Sequence, residues 1–265
     1  MKPKIIFFGS DKYSQIVLKA LEKDKRFQIV KNLKDKPDVG VLASYGKILP
    51  SEILAIPKYG ILNIHPSLLP KYRGASPVQA VILAGDKETG VSIIKMDERV
   101  DHGPIVAQFA EKILPTDTAE SLYQRLFTSG AEVLLTILPT YLKDQIKLRQ
   151  QDDSQATYTK KLTREDGKID WKRSPEKIER HVRAMHPWPG AWTEVQMTDD
   201  SPPRFAERGR GKQKTVKRLK IFRAHLENLS PDTCHLIPDL VQLEGKKPVS
   251  WKQFREGYPE AKIIK

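Results

Sequence analysis

The fold is decided first by residues 4–21, which run KIIFFGSDKYSQIVLKAL. The apolar run Lys4–Phe8 is typical of a short buried strand, and Gly9-Ser10 ends it with a turn. Apolar residues then recur at helical spacing over residues 16–21. A buried strand, a glycine turn and a helix form the opening unit of an α/β fold.

Working outward, the same patterns predict the other elements of a first domain over residues 1–146. Strands are expected at Phe27–Val30, Val39–Ala43, Ile61–Ile64, Val91–Met96 and Ile105–Ile113. Helices are expected at Pro50–Ile56, Pro77–Leu83 and Thr118–Leu142, the last capped by Asp117 or Thr118. This order predicts an α/β domain with a Rossmann-like, mostly parallel sheet.

A polar stretch then separates a second, smaller domain. Arg149–Gln155 contains no apolar residue, so we expect residues 147–160 to be a linker. Beyond it, a helix is predicted at Ser174–Met185, with Pro175 in its first position. Strands are predicted at Ala191–Val195, Leu219–Ala224 and Leu240–Leu243. Residues 161–265 are therefore expected to form a β-barrel-like, OB-type domain.

The charge balance points to a polyanionic partner. The 265-residue chain carries 46 Lys and Arg against 33 Asp and Glu, a net charge of +13. Such an excess favours nucleic acid or a membrane surface, although a merely basic soluble protein would also show it. Eight basic residues and one acid lie in the run Arg204–Lys220. It is either a solvated loop or an arm that contacts phosphates.

The composition also argues against a membrane span, a signal peptide, a disulfide and a thiolate zinc site. No apolar run approaches the roughly 18 residues that a membrane-spanning helix needs, and Ile5–Gly9 is too short for the core of a signal peptide. The single cysteine, Cys234, excludes an internal disulfide and a thiolate zinc cluster. We therefore expect a cytoplasmic protein that uses no membrane.

Two polar segments are candidates for chemistry. The first is residues 63–74, NIHPSLLPKYRG, where Asn63 and His65 lie two apart at a strand end and so leave the same face. The second is residues 96–105, MDERVDHGPI, in which Asp101 could hold a histidine in one tautomer. Taken separately, a strand-end histidine is more often structural, and an acidic loop is more often a plain turn.

Taken together with TGVSI at residues 89–93, the two segments resemble the folate-dependent formyltransferase family. The resemblance covers residues 1–146 and continues through residues 161–171, 183–192 and 243–248. It implies transfer of a formyl group from N10 of 10-formyltetrahydrofolate to a primary amine, without a metal. It also implies that Asn63 and His65 stabilise the developing oxyanion, and that Asp101 orients His65 and, through a water, helps to remove the amine proton.

The resemblance also assigns the binding residues. It places the pterin against Tyr45, Gly46, Lys47, Ile48, Leu49 and Gly103, and the acceptor against Ser10, Tyr13, Ser67, Leu68, Leu69, Pro70 and Arg73. The segment 161–171 is similar to the branch of the family that formylates methionyl-tRNA. This branch predicts initiator methionyl-tRNA as the partner, a role in translation initiation, and a monomer.

The sequence departs from that branch where tRNA is contacted. Only Lys31–Lys36 separates the second predicted strand from the third, so the sheet is expected to lack one strand–helix unit and a basic loop. An N-formyltransferase acting on an amino-sugar nucleotide would explain this loss. A deformylase with the same pocket and a noncatalytic relative that binds nucleic acid are two further alternatives.

Overall fold

The computed structural model describes residues 1–198, 214–230 and 233–264. It divides into two compact units, Met1–Lys161 and Leu162–Lys265. In the described ranges, no helix is long and apolar enough to cross a membrane.

A six-stranded sheet forms the centre of the first unit. The strands of this unit are β1 (Lys4–Phe8), β2 (Gln28–Val30), β3 (Val39–Ala43), β4 (Ile61–His65), β5 (Arg73–Gly74), β6 (Glu88–Lys95), β7 (Ile105–Lys112) and β8 (Tyr158–Thr159). The sheet has the order β2-β1-β3-β4-β6-β7, in which the first four strands are parallel and β6 pairs antiparallel with both β4 and β7. The predicted mostly parallel α/β sheet is confirmed.

Four helices accompany this sheet: α1 (Ser14–Lys23), α2 (Ser51–Leu54), α3 (Pro77–Ala84) and α4 (Ala119–Tyr141). The predicted cap of α4 is confirmed, because the Thr118 side chain accepts a hydrogen bond from the Ser121 amide. Gly130 lets α4 lie close to β4, since a Cβ at this position would be 2.9 Å from Cγ2 of Ile64. This close packing holds the strand that carries Asn63 and His65.

Residues 147–160 are not the free linker that their polar composition predicted. Arg149 exchanges backbone hydrogen bonds with Ile105, and β8 pairs in parallel with β5. The segment therefore belongs to the first unit, whose boundary falls after Lys161. Hydrogen bonding to the neighbouring loops, not apolar burial, keeps it in place.

The second unit is built on an antiparallel sheet of the order β12-β11-β10-β9-β13. Its elements are α5 (Pro175–Met185), β9 (Ala191–Thr198), β10 (Lys214–Ser230), β11 (Thr233–Leu243), β12 (Val249–Ser250), α6 (Trp251–Gly257) and β13 (Lys262–Ile263). The β-rich character is confirmed, whereas closure into a barrel stays a prediction. Of the basic run Arg204–Lys220, residues 214–220 lie in β10, and the rest is outside the described residues.

Candidate active site

Three polar side chains from two distant stretches of chain meet on one face of β4. Asn63 and His65 project from the same side of that strand. Asp101 lies in the connection between β6 and β7, and β6 is the antiparallel neighbour of β4. The convergence predicted for these three groups is therefore present in the structure.

The carboxylate of Asp101 is the centre of the cluster. Its Oδ1 accepts a hydrogen bond from Nδ2 of Asn63 at 3.0 Å, and its Oδ2 lies 3.5 Å from Nδ1 of His65. The amide N–H of Gly74 donates to the same Oδ2 at 2.8 Å. Asn63 and His65 are 7% and 4% exposed, so little water competes for these bonds.

The second ring nitrogen of His65 is fixed by the loop after β4. Nε2 lies 3.0 Å from the carbonyl oxygen of Tyr72, and a carbonyl only accepts, so Nε2 carries the hydrogen and donates. Tyr72 has a left-handed backbone with φ 63°. Burial, together with the hydrogen bond that its hydroxyl donates to Asp86 at 2.7 Å, raises the pKa of Tyr72 to about 12. The phenol therefore stays a neutral anchor for this loop.

A cavity of about 350 Å³ opens beside the three groups. Its walls include Asn63, His65 and Asp101, together with the whole predicted pterin segment of Tyr45, Gly46, Lys47, Ile48 and Leu49. Leu49 packs in a buried apolar cluster with Leu42 and Ile61, whereas Ile48 is 85% exposed at the surface. The cavity thus combines apolar walls with a few convergent polar groups, which is typical of a ligand site.

The predicted acceptor residues Ser10 and Tyr13 lie next to this cavity, outside its lining. The Ser10 hydroxyl is within hydrogen-bond distance of the carbonyl oxygens of Ser44 and Tyr45, at 3.0 and 2.9 Å, and so holds the segment that forms the wall. The Tyr13 ring stacks on Tyr123 at 5.0 Å between centroids. Tyr123 and Phe127 belong to the lining, so Tyr13 extends an aromatic surface that begins inside the cavity.

The remaining predicted acceptor residues do not reach the cavity. Ser67, Leu69 and Arg73 are buried, and their contacts are internal. The Ser67 hydroxyl donates to the Lys71 carbonyl at 2.7 Å, and Leu69 packs in a buried cluster with Ile94 and Ile105. Leu68 and Pro70 are likewise absent from the lining. These five residues shape the loop after β4, and their contact with an acceptor stays a prediction.

Gly103 has a structural role, and its predicted contact with the pterin stays a prediction. A Cβ at this position would lie 1.9 Å from the carbonyl oxygen of Lys95, so only glycine allows the two backbones to approach. Gly103 is not part of the cavity lining. It closes the connection that carries Asp101.

Two contributors were missed by sequence reasoning. One is the Gly74 amide, whose φ of 108° favours glycine and which donates to Asp101. The other is Gln151, which donates from Nε2 to the carbonyl oxygens of Asp101 and Gly103 at 2.9 and 2.8 Å. Gly74 stood at the end of a quoted motif, whereas Gln151 lay in a stretch without any distinguishing pattern.

The sequence matches known families in both units. The family described as formyl transferase matches residues 5–138, and the formyl transferase C-terminal domain matches residues 161–259. The methionyl-tRNA formyltransferase of Roseiflexus sp. (strain RS-1) is 52% identical over 158 residues, which are 60% of this chain and 49% of that protein. The chain thus spans about half the length of the curated relatives it matches.

Solved structures share the fold at low sequence identity. Methionyl-tRNA formyltransferase from Clostridium thermocellum superposes with a TM-score of 0.63 at 21% identity, covering 91% of this chain and 98% of that one. WlaRD, a sugar 3N-formyl transferase solved in the presence of dTDP and 5-N-formyl-THF, gives a TM-score of 0.65 at 18% identity, covering 94% and 97%. With the family matches in both units, these findings show that the chain belongs to the formyl transferase family.

Proposed function

We propose that this chain transfers a formyl group from 10-formyltetrahydrofolate to the amino group of methionyl-tRNA. The observation that carries the proposal is the convergence of Asn63, His65 and Asp101 beside the cavity lined by residues 45–49. The relatives named as methionyl-tRNA formyltransferases support the choice of acceptor. The net charge of +13 supports a nucleic-acid acceptor as well.

The residues of the cavity fit a reduced folate. The volume of about 350 Å³ falls within the range of small-molecule pockets. Backbone groups of residues 45–49 can meet the donors and acceptors of a pterin, and the side chains of Leu49 and Leu42 offer it an apolar wall. The bound donor would supply the formyl carbon that the acceptor amine receives.

Asn63 is the group best placed to stabilise charge on the formyl oxygen. One hydrogen of its amide is directed to Asp101, which fixes the orientation of the side chain and leaves the second hydrogen for a ligand. A donor held in advance of the reaction loses no reorganisation energy when the charge develops. Loss of one such donor typically costs about 10²–10³ in kcat.

His65 and Asp101 form the pair that can carry the proton. Nε2 of His65 already donates to Tyr72, so a hydrogen on Nδ1 would face the carboxylate, whereas a lone pair would face its negative charge. The geometry therefore accommodates a doubly protonated ring stabilised by Asp101. As the new C–N bond forms, the amine loses one proton, and the departing N10 gains one. With both ring nitrogens of His65 protonated, the Asp101 carboxylate, reached through a water, would take up the first proton and return it to N10.

A second acceptor is favoured by one specific observation. Only residues 31–38, with a single 3-10 turn at Leu33–Asp35, connect β2 to β3, so no inserted loop is present there to contact an acceptor stem. An amino-sugar nucleotide would need no such loop. The sugar 3N-formyl transferase that shares the fold supports this alternative.

The two acceptors are distinguished by a direct assay. The protein is incubated with 10-formyltetrahydrofolate and either charged initiator tRNA, charged elongator methionyl-tRNA or a dTDP-linked amino sugar, and the formylated product is identified by mass spectrometry. We expect formylmethionine on initiator tRNA, and transfer slowed by about 10²-fold or more in Asn63→Ala and His65→Ala proteins that still bind tRNA. Formylation of the sugar alone would replace the proposed acceptor, and formylation of none would refute the proposed reaction.

A further inference from the structure

Gln151 connects the turn that carries Asp101 to Arg73 in the loop after β4. Its Nε2 donates to the carbonyl oxygens of Asp101 and Gly103 at 2.9 and 2.8 Å. Its Oε1 accepts from Nε and Nη2 of Arg73 at 3.1 and 2.8 Å. A guanidinium only donates and a carbonyl only accepts, so the partners fix the orientation of the amide. All four hydrogen-bonding positions of this side chain are occupied.

Arg73 extends the connection to the other side of the carboxylate. It is 1% exposed and also binds Oδ1 of Asp153 at 2.8 Å, a bond that lowers the pKa of the Asp153 carboxyl. The next residue, Gly74, donates its amide N–H to Oδ2 of Asp101. Gln151 therefore binds the backbone of Asp101 directly. Through Arg73, it also holds the residue that binds the Asp101 side chain.

Asp101 needs such support because its backbone is in the left-handed region, with φ 47°. This conformation is uncommon for residues other than glycine and persists where surrounding contacts fix it. The two carbonyl groups that bind Gln151 stand at both ends of the short turn from Asp101 to Gly103. A side chain that binds both ends fixes the turn and hence the direction of the carboxylate.

We propose that Gln151 is a positioning residue that sets the geometry of Asp101 against His65. Gln151 does not contact the side chain of Asp101 or of His65. It acts through the backbone of the turn and through Arg73. The activity readout of this proposal rests on the proposed formyl transfer. The charged groups around the pair are Asp101 itself and, beyond Gln151, the network of Arg73, Asp153, His102, Asp97 and Arg99.

The test compares Gln151→Ala and Gln151→Glu with Gln150→Ala, a matched change at the exposed neighbouring position. A displacement of about 1 Å in a catalytic group can cost roughly 10²-fold in rate. We expect kcat of both Gln151 variants to fall about 10- to 100-fold, with KM for the folate within about twofold, and the acidic limb of the kcat–pH profile to move. Gln151→Glu should not rescue kcat, because it would place an oxygen against two carbonyls.

Several outcomes would overturn this role. One is a native kcat and pH profile in both Gln151 variants. Another is a loss of kcat that only follows the unfolded fraction measured by circular dichroism. A third is an equal loss in Gln150→Ala.

If the native chain formylates no acceptor, the proposed function fails, and the positioning role is then tested by NMR. The ring signals of His65, identified by their absence in His65→Asn, should shift in Gln151→Ala and stay unchanged in Gln150→Ala. Unchanged signals in both variants would refute the positioning role independently of activity.

Discussion

Replacing Asp101 by Asn tests the proposed chemistry most directly. Asn tolerates a left-handed backbone as well as Asp does, so the φ of 47° is retained and the change removes mainly the charge. Both oxygens of Asp101 now accept hydrogen bonds, one from Asn63 and one from the amide of Gly74. A carboxamide has only one oxygen, so one of these two donors must meet an NH₂ group.

The two donors to Asp101 differ in whether they can reorient, and this difference decides which of them loses its acceptor. Gly74 cannot rotate its N–H, so the new oxygen will face Gly74 and the new NH₂ will face Asn63. Asn63 then has to turn its own amide, which places its oxygen where its NH₂ had been directed at the ligand. The substitution at Asp101 therefore removes a second group, the oxyanion donor of Asn63.

The magnitude follows from these two losses. Removal of one oxyanion donor costs about 2.7–4 kcal/mol. The carboxylate lies 3.5 Å from Nδ1 of His65, where two unit charges attract by about 5 kcal/mol at an effective dielectric constant of 20. The dipole of the new amide replaces part of this attraction, and the cost of desolvating the charges offsets much of the rest. The net loss from removing the charge is therefore about 1–2 kcal/mol. We expect kcat to fall by about 10³–10⁴.

The assay is single-turnover formyl transfer at saturating folate, with release of tetrahydrofolate as the signal. Asp144→Asn is the matched control, because Asp144 has the same left-handed backbone, with φ 55°, and is exposed beyond the end of α4. The control should keep its native rate. A folded Asp101→Asn protein within tenfold of the native rate would refute the roles assigned to both side chains.

Three further changes have definite expected results. Asn63→Ala should lower kcat about 10²–10³-fold with little change in KM for the folate, as measured by steady-state kinetics. Gly74→Ala should lower both the melting temperature and kcat, because its φ is 108° and its Cβ would lie 2.4 Å from a carbonyl oxygen. Burial alone would raise the pKa of Asp117, but hydrogen bonds, above all from Arg125, lower it below 3.8. Its contribution to stability is fully present above about pH 3.8 and is lost as pH falls through the folded-state pKa. Urea unfolding should therefore show Asp117→Asn destabilised by about 1.5–3 kcal/mol at pH 7 and by less as pH falls below 3.8.

Sequence patterns predicted the apolar framework well. The strands β1, β3 and β4 are mainly apolar and lie close to glycine or proline residues, so their predicted ends agree with the structure within one residue. The strands of the second unit were harder. Lys214–Ser230 carries charges on its exposed positions and has no continuous apolar run, so only its central part, Leu219–Ala224, was predicted.

The supporting residues of the site could not be found in this way. Gln151 lies in a polar segment whose order comes from long-range hydrogen bonds to residues 50 and 48 positions earlier. Such bonds produce no periodic pattern of residues that could be recognised in the sequence. The hydrogen bonds from Arg73 to Gln151 were not predicted, for a related reason. A motif records that an arginine is required and does not record whether it faces a substrate or a buried amide.

The same contacts explain how the left-handed backbone of Asp101 is maintained. A left-handed residue other than glycine costs about 1–3 kcal/mol. Asp101 receives hydrogen bonds from Asn63, Gly74 and Gln151, which contribute about 1 kcal/mol each and more where the acceptor is charged. Together these three bonds offset the cost of the left-handed backbone. For this reason the polar segment around Gln151 must be as well ordered as the apolar strands, since the proposed formyl transfer depends on the direction of the Asp101 carboxylate.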